Sequence, residues 1–165
     1  MIEVRRACRE DAGDLGVIMS RSFWSAFSGF ISAQTLEACA VEENCIGLME
    51  SLLDAGQMRF LLGVLDGKPC GELVWSDGES PETAEIQAIH SLPESWGSGL
   101  GAALLERAFA DMAAAGKEAV CLWAFKENKR ARRFYEKHGL SFTGEERVSQ
   151  FDGAVEVRYG LALGR

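Results

Sequence analysis

Histidine, tyrosine and proline are scarce in this sequence, with two, two and three residues, and the five cysteines include no CxxC pair. Zinc sites combine several cysteine and histidine ligands at short, regular spacings, and a disulfide framework needs paired cysteines. Only His90 and His138 accompany the scattered, odd-numbered thiols. We therefore expect no metal site, and we interpret the cysteines as buried, reduced side chains.

Long apolar runs are also missing, and the first residues lack the apolar stretch of a signal peptide. No repeat, low-complexity segment or linker rich in proline and glycine interrupts the 165 residues, of which 47% are hydrophobic and 25% charged. These values are typical of one ordinary globular domain. The sequence therefore predicts a single domain over residues 1–165 that is cytoplasmic and does not associate with a membrane.

Basic residues are few in the first half of the chain, and the net charge of −8 lies there. Residues 1–83 contain 14 acidic and six basic residues, whereas residues 84–165 contain eleven of each. An acidic body disfavours general binding of nucleic acid. The segment Lys126–Lys137 is an exception, with six basic and two acidic residues. Such a cluster is typical either of a solvated helix face or of a site for a small anion.

Apolar periodicity and turn residues predict seven strands and four helices. Asp66-Gly67 and Asp152-Gly153 are turn signals, although Lys68-Pro69 should lengthen the first loop. The order of elements includes one β-α-β unit and predicts an α+β protein with a mixed sheet. The predicted helices end near Phe30, Gly56, Gly116 and Gly139, and the predicted strands are Ile2–Arg6, Arg59–Leu65, Cys70–Ser76, Thr83–Ser91, Ala119–Phe125, Phe142–Arg147 and Val155–Leu163.

Three glycines alternate in the segment 96–102, between the strand that ends at Ser91 and the helix that begins at Leu100. Glycine leaves the backbone N–H groups uncovered, and a helix start adds unpaired N–H groups and the positive end of its dipole. Such a site suits a phosphate or pyrophosphate group. Glycines that merely permit tight packing are the alternative interpretation.

The same loop formally matches the dinucleotide fingerprint G-x-G-x-x-G/A through Gly97, Gly99 and Ala102. A Rossmann domain would place this fingerprint after its first strand, with several βα units behind it. Here the loop lies past the middle of the chain, after antiparallel-looking strands, and only one further helix follows the predicted helix behind the loop. Glu127, at the end of the next strand, comes late for a ribose ligand. The fold context therefore argues against a nicotinamide site.

A second motif runs from Asn128 to Leu140. Asn128 and Tyr135 are seven positions apart, which places both on one face of a helix together with Ala131, Phe134 and His138. By itself this stripe is more typical of core aromatics behind a helix N-cap, because aromatic residues on helices are usually packing residues.

Together, the two motifs resemble the Gcn5-related N-acetyltransferase (GNAT) superfamily, strongly over residues 84–140 and in element order over the whole chain. The resemblance implies a central, twisted, mostly antiparallel sheet of about seven strands flanked by about four helices. It also implies that acetyl-CoA is the cofactor, with its pyrophosphate on the loop amides and its pantetheine arm along the preceding strand. The matching positions are Gly97, Ser98, Gly99, Leu100, Gly101 and Ala102 in the loop, and Ile89, His90 and Ser91 in the strand, where His90 is expected only as a backbone contact.

The family signature Asn-x-x-Ala-x-x-Phe-Tyr implies that Asn128 contacts the cofactor and that Tyr135 protonates the leaving thiolate. Trp96 departs from the family, which usually has Arg or Gln there, and leaves more of the phosphate binding to basic residues such as Arg132 or Lys129. Trp123 stands where some members carry a glutamate, so peptide N-terminal acetylation is not specially indicated.

The resemblance implies an enzyme that transfers an acetyl group to a primary amine by direct attack in a ternary complex. Glu85, in the context Ala-Glu-Ile, is the candidate base, and an exposed strand residue is the alternative interpretation. A fold that only binds acetyl-CoA, as a sensor or interaction module, is the second hypothesis. The acidic first half favours cationic acceptors such as polyamines, aminoglycosides or protein lysines, and dimers are frequent in the family.

Overall fold

A computed structural model describes residues 1–164 of the chain. The helices and strands alternate in the order β α α α β β β α β α β β, with short 3-10 turns at Arg9–Asp11 and Pro93–Ser95. The elements are β1 (Ile2–Arg6), α1 (Ala12–Phe27), α2 (Ala33–Cys39), α3 (Glu42–Ala55), β2 (Arg59–Leu65), β3 (Lys68–Asp77), β4 (Thr83–Ser91), α4 (Leu100–Ala114), β5 (Ala119–Phe125), α5 (Lys129–Lys137), β6 (Ser141–Val148) and β7 (Val155–Ala162).

The seven strands form one sheet in the order β1-β2-β3-β4-β5-β7-β6. Every neighbouring pair is antiparallel except β4 and β5, which are parallel and joined through α4. The predicted mixed α/β fold with a mostly antiparallel sheet is confirmed. Among residues 1–164, no helix is both long and apolar enough to cross a membrane.

Two local predictions differ from the structure. The helix α2 was not predicted because seven residues are too few for a clear apolar period; it begins at Ser32, whose Oγ accepts a hydrogen bond from the Thr35 amide. The first hairpin is not lengthened: Leu65 pairs directly with Lys68, and Asp66 and Gly67 adopt φ angles of 50° and 79°. A two-residue turn with positive φ at both positions matches the twist of the strands.

The helices cover both faces of the sheet. Leu15 and Ile18 of α1 and Met49 of α3 pack on one face, against Phe60, Leu62 and Val74. The other face is covered by α4, whose apolar stripe contacts the opposite side chains of the same strands. Because successive side chains of a strand point to opposite faces of the sheet, alternate apolar residues pack against α1 and α3 on one face and against α4 on the other. The stripe of α4 consists of Leu100, Leu104, Leu105, Ala108 and Met112, all fully buried.

The sheet opens between β4 and β5. These strands pair only over Thr83–Ile86 and Ala119–Leu122, and a bulge interrupts the β3–β4 register between Val74 and Trp75. Beyond the paired segment, β4 and β5 diverge, and the glycine loop and the first turn of α5 lie at the open end. The split therefore gathers the two motifs at one place.

The packing of α1 against α3 depends on Gly16. A Cβ atom at Gly16 would lie 2.5 Å from the Cα of Ile46, which is backbone and cannot rotate away. We predict that Gly16→Ala lowers the free energy of unfolding by about 1–3 kcal/mol. Gly47→Ala in α3, where a Cβ meets nothing within 4 Å, should instead stabilise by about 0.5–1 kcal/mol. Urea unfolding of both variants measures the difference, and equal effects would contradict this packing.

Candidate active site

A cavity of about 620 Å³ follows the split between β4 and β5. Its walls come from α1, the last residues of β4 and β5, the glycine loop, α5 and the turn before β7. The cavity is therefore continuous from the loop to the aromatic side chains of α1. Of the predicted cofactor positions, it is lined by Ile89, His90, Ser91, Gly97, Gly99, Leu100, Gly101, Ala102, Asn128 and Tyr135.

The glycine loop presents unpaired backbone donors. Gly97 and Gly99 adopt φ angles of 78° and 94°, a region that favours glycine. Ser98 does not line the cavity, and its Oγ accepts from the amide of Leu100. In the described chain, no partner accepts from the amides of Gly97, Gly99, Gly101 and Ala102. Free N–H groups at the start of a helix are the kind of donors that anions bind.

A cation lies beside this loop. The guanidinium carbon of Arg130 lies 3.4 Å from the ring centroid of Trp96, and the indole N–H of Trp96 donates to the Ser91 carbonyl at 3.0 Å. Burial against the ring lowers the pKa of Arg130 from its ordinary value. Lys137 also lines the cavity, and within residues 1–164 neither cation forms an ion pair. This end of the cavity is therefore electropositive.

The basic residues named from the sequence lie elsewhere. Arg132 does not line the cavity: its Nε donates to the Tyr159 hydroxyl at 2.9 Å and its terminal nitrogen to the Lys126 carbonyl at 3.2 Å. Lys129 does not line the cavity either. The expectation that Arg132 or Lys129 approaches the loop is corrected to Arg130, because residues two apart on a helix project nearly opposite ways.

The signature residues of α5 meet at the same cavity. Asn128 caps the helix through Oδ1, which accepts from the Ala131 amide at 3.2 Å, and this leaves its NH₂ group without a partner in the described chain. Tyr135 is buried, and desolvation raises the pKa of its phenol above the ordinary value. The Tyr135 hydroxyl also has no protein partner among residues 1–164. The phenol therefore stays protonated at neutral pH and offers its proton to the cavity.

Glu72 and His90 form a buried pair that the sequence did not predict. The two residues face each other across β3 and β4; a Glu72 carboxylate oxygen lies 2.7 Å from His90 Nδ1, and their side chains are 0% and 11% exposed. A carboxylate oxygen accepts hydrogen bonds, so an Nδ1–H group that donates to Glu72 is the arrangement that fits this contact. The other ring nitrogen, Nε2, has no partner in the described chain.

Glu85 does not line the cavity. It pairs with Ser76 on β3 and with Cys121 on β5, inside the closed part of the sheet. His90 lies five positions further along β4, about 16 Å away at about 3.3 Å per residue. The structure therefore does not bring the predicted base together with Tyr135, whereas it does bring His90 to the same cavity.

Aromatic rings and one carboxylate form the end of the cavity away from the loop. The ring centroids of Phe27 and Phe125 are 5.0 Å apart, and those of Phe125 and Phe151 are 6.1 Å apart. Glu156, opposite Phe125 in the β5–β7 register, accepts from Arg147 Nε at 2.6 Å. Of the described residues, Glu156 is the only acid that lines the cavity. Neither Glu156 nor Glu72 was predicted; the position of Glu72 as the single charged residue in the interior of β3, between Lys68 and Asp77 at its ends, is the signal that could have indicated it.

Comparisons with known proteins agree with this architecture. The chain is 26% identical over 143 residues to an uncharacterized N-acetyltransferase of Archaeoglobus fulgidus, covering 84% of this chain and 92% of that protein. A GCN5-related N-acetyltransferase of Rhodopseudomonas palustris superposes with a TM-score of 0.79 at 20% identity, covering 98% and 95% of the two chains. The PaiA N-acetyltransferase of Thermoplasma acidophilum, solved in complex with coenzyme A, gives a TM-score of 0.76 at 19% identity over 96% and 98%.

The sequence model of the Acetyltransferase (GNAT) family matches residues 19–140. This range contains the glycine loop, the split between β4 and β5, the Glu72–His90 pair and the Asn128–Tyr135 helix. The chain therefore belongs to the GNAT family of acetyltransferases.

Proposed function

We propose that this chain transfers an acetyl group from acetyl-CoA to a primary amine by direct attack in a ternary complex. The observation that carries the proposal is the set of four unpartnered amides at the start of α4, beside the stacked Arg130 and at one end of a cavity that also contains His90 and Tyr135. A phosphorylated donor and a reaction centre then fit within one continuous space.

The residues of the cavity suit coenzyme A in kind. Amides at a helix start, Arg130 and Lys137 are donors and cations for phosphate groups. The unpaired edge of β4 after Ile86 offers backbone groups to the amides of a pantetheine arm. The bound donor supplies an activated acetyl carbon and a thiolate leaving group. Asn128, with its free NH₂ group, lies where it can help to hold the arm.

His90 is the proton acceptor that we propose in place of Glu85. A primary amine has a pKa near 10 and must lose a proton before it attacks. Nε2 of His90 has a free lone pair toward the cavity, and Glu72 holds the ring in that tautomer through Nδ1. The ammonium group releases its first proton to solvent. Nε2 then takes the second proton as the C–N bond forms, and the electron pair of the broken C–S bond goes to sulfur.

Tyr135 is the proton donor to that sulfur. Its raised pKa keeps the phenol protonated over the whole neutral range, and the absence of a protein partner within residues 1–164 leaves the O–H free to turn to the leaving group. A sensor that only binds acetyl-CoA would need neither this donor nor the His90 acceptor. The presence of both in one cavity favours the enzyme over the binding module.

The first test is the melting temperature with acetyl-CoA, free CoA and NAD. A ligand at a hundred times its Kd should add about 2.7 kcal/mol, or about 5–10 °C for a chain of this length. We expect this shift with both CoA species and none with NAD. A shift with NAD alone would contradict the cofactor assignment, and so would the absence of a shift with all three ligands.

A matched pair of arginines on α5 sharpens this measurement. Arg130→Ala should weaken CoA binding about tenfold, because a charge-assisted contact to a phosphate is lost. Arg133→Ala removes the same charge from an exposed position outside the cavity and should leave the affinity within a factor of about two. Calorimetric titration of both variants with CoA distinguishes the loss of a contact in the cavity from the loss of one positive charge anywhere on α5.

The assignment of His90 as the base predicts different changes in kcat for substitutions of His90, Glu72 and Glu85. His90→Gln should lower kcat by about 100-fold or more. Glu72→Gln should lower kcat by a smaller factor, since the amide oxygen still orients the ring, and Glu85→Gln should leave kcat unchanged. Steady-state kinetics of the three variants test the assignment; a large loss in Glu85→Gln with normal turnover in His90→Gln would assign the base to Glu85.

The acid role predicts a separation of turnover from binding. Tyr135→Phe should lower kcat about 100-fold, the range of general acid catalysis, while the Kd for acetyl-CoA stays the same. The ring remains, so the packing beside Tyr159 is preserved. Single-turnover rates and calorimetric affinities check the two quantities. Unchanged turnover would reject the acid role.

A further inference from the structure

The part of the cavity beyond His90 lies away from the glycine loop and outside the space that we propose for acetyl-CoA. Its lining is chemically distinct. We name this part the acceptor pocket. It lies between α1, the end of β5 and the start of β7, and it opens directly into the space beside His90. Its walls are Met19, Ser22, Phe23, Ala26, Phe27, Trp123, Phe125, Phe151 and Glu156.

The rings of this pocket fix one another in place. Phe23 lies edge-on to His90, with centroids 5.5 Å apart, and also edge-on to Phe151 at 6.4 Å. Phe125 lies edge-on to Phe27 at 5.0 Å and to Phe151 at 6.1 Å. Edge-to-face contacts at these distances are favourable. The pocket is therefore an apolar, preformed space whose inner wall touches the proposed base.

One negative charge lies among these rings. The side chain of Glu156 is 16% exposed and is bridged to Arg147, whose guanidinium carbon lies 4.3 Å from the centroid of Trp123. The carboxylate is thus held by a cation that is itself stacked on the pocket wall. It attracts one ammonium group, and the ring faces beside it add cation–π attraction.

Ser22 is a buried polar residue in the wall of the same pocket. It is 2% exposed, and in the described chain its Oγ has no hydrogen-bond partner. A buried hydroxyl without a partner costs about 1–3 kcal/mol.

The charges of the cavity disfavour a polycation. The 14 acidic residues of the first half, which led to the expectation of cationic acceptors such as polyamines, aminoglycosides or protein lysines, do not line the cavity. A second ammonium group would face rings or, toward the loop, the unpaired charges of Arg130 and Lys137. Each further charge would therefore lose water without gaining a counter-ion.

We infer that the acceptor is a primary amine with a single positive charge carried on an apolar, aromatic-sized body, bound in the acceptor pocket with Glu156 as its counter-ion. This inference rests on the proposed acetyl transfer. Glu156 draws the ammonium form into the pocket, where the nitrogen releases one proton to solvent. His90 accepts a second proton from nitrogen as the C–N bond forms and the C–S bond breaks, and Tyr135 protonates the leaving thiolate.

The test is a panel of amines with acetyl-CoA and the full chain. Phenethylamine and tryptamine represent the proposed class; spermidine, kanamycin and a lysine-containing peptide represent polycationic and protein acceptors. Acetylated products are measured by mass spectrometry, because the exposed thiol of Cys8 would react with a thiol reagent. We expect kcat/KM for the arylalkylamines to exceed that for spermidine at least about tenfold.

The outcomes separate the inference from the function on which it rests. Faster acetylation of spermidine, kanamycin or the peptide would overturn the acceptor class and leave acetyl transfer intact. A melting shift with acetyl-CoA but no product from any amine would overturn both the acceptor class and the transfer, and would indicate a binding module.

Two isosteric variants locate the effect. Glu156→Gln should raise KM for phenethylamine about tenfold, through loss of a charge-assisted contact, without changing the melting shift caused by acetyl-CoA. Glu145→Gln on β6 removes an exposed carboxylate that pairs with Arg158 outside the cavity and should leave KM unchanged. Equal KM values in the two variants would exclude Glu156 as the counter-ion.

Discussion

The hydrogen-bond ladder between β4 and β5 stops after Ile86 and Leu122, and the rest of the site depends on that interruption. A parallel pair that continued to Ser91 would satisfy its own backbone groups and close the cavity. Because the strands diverge instead, β4 keeps a free edge, His90 reaches an open space, and the chain enters α4 at the mouth of the split. Unpaired backbone groups cost stability unless water or a ligand binds them, so the fold retains an edge that a ligand can complete.

The two ends of the cavity differ in charge. Arg130 stacks on Trp96 of the loop without a carboxylate partner in the described part of the chain, whereas Glu156 lies at the other end, bridged to Arg147. Glu72 is fully buried, with His90 as its partner and its second oxygen unpaired. A buried carboxyl group with one unmatched oxygen destabilises the fold. Its place beside a histidine that lines the cavity favours chemistry rather than stability as its role.

The elements could be predicted from sequence more completely than the site. The bounds of β1, β2, β4 and β5 follow from apolar runs between turn residues, and Asn128 as N-cap follows from residue type alone. The pairing of Glu72 with His90 required the β3–β4 register across 18 positions, which local patterns do not contain. Similarly, six bases lie between Lys126 and Lys137, and only the rotation of α5 about its axis decides that Arg130 faces the cavity while Arg132 binds Tyr159.

Trp96 in the glycine loop differs from the residue that the family resemblance implies there, and Arg130 on α5 stacks on its ring. The family usually has Arg or Gln at this position, and the indole here removes that group from the loop. The ring instead supports Arg130, so the positive charge comes from α5, the element that also carries Asn128 and Tyr135. The distance between the two helices then matters for anion binding. A Cβ atom at Gly101 would lie 3.2 Å from Phe134, so the glycine lets α5 approach the start of α4. Gly101 therefore lets Phe134 of α5 pack closely against the start of α4. This packing also holds Arg130, on the same helix, beside the free amides of the loop.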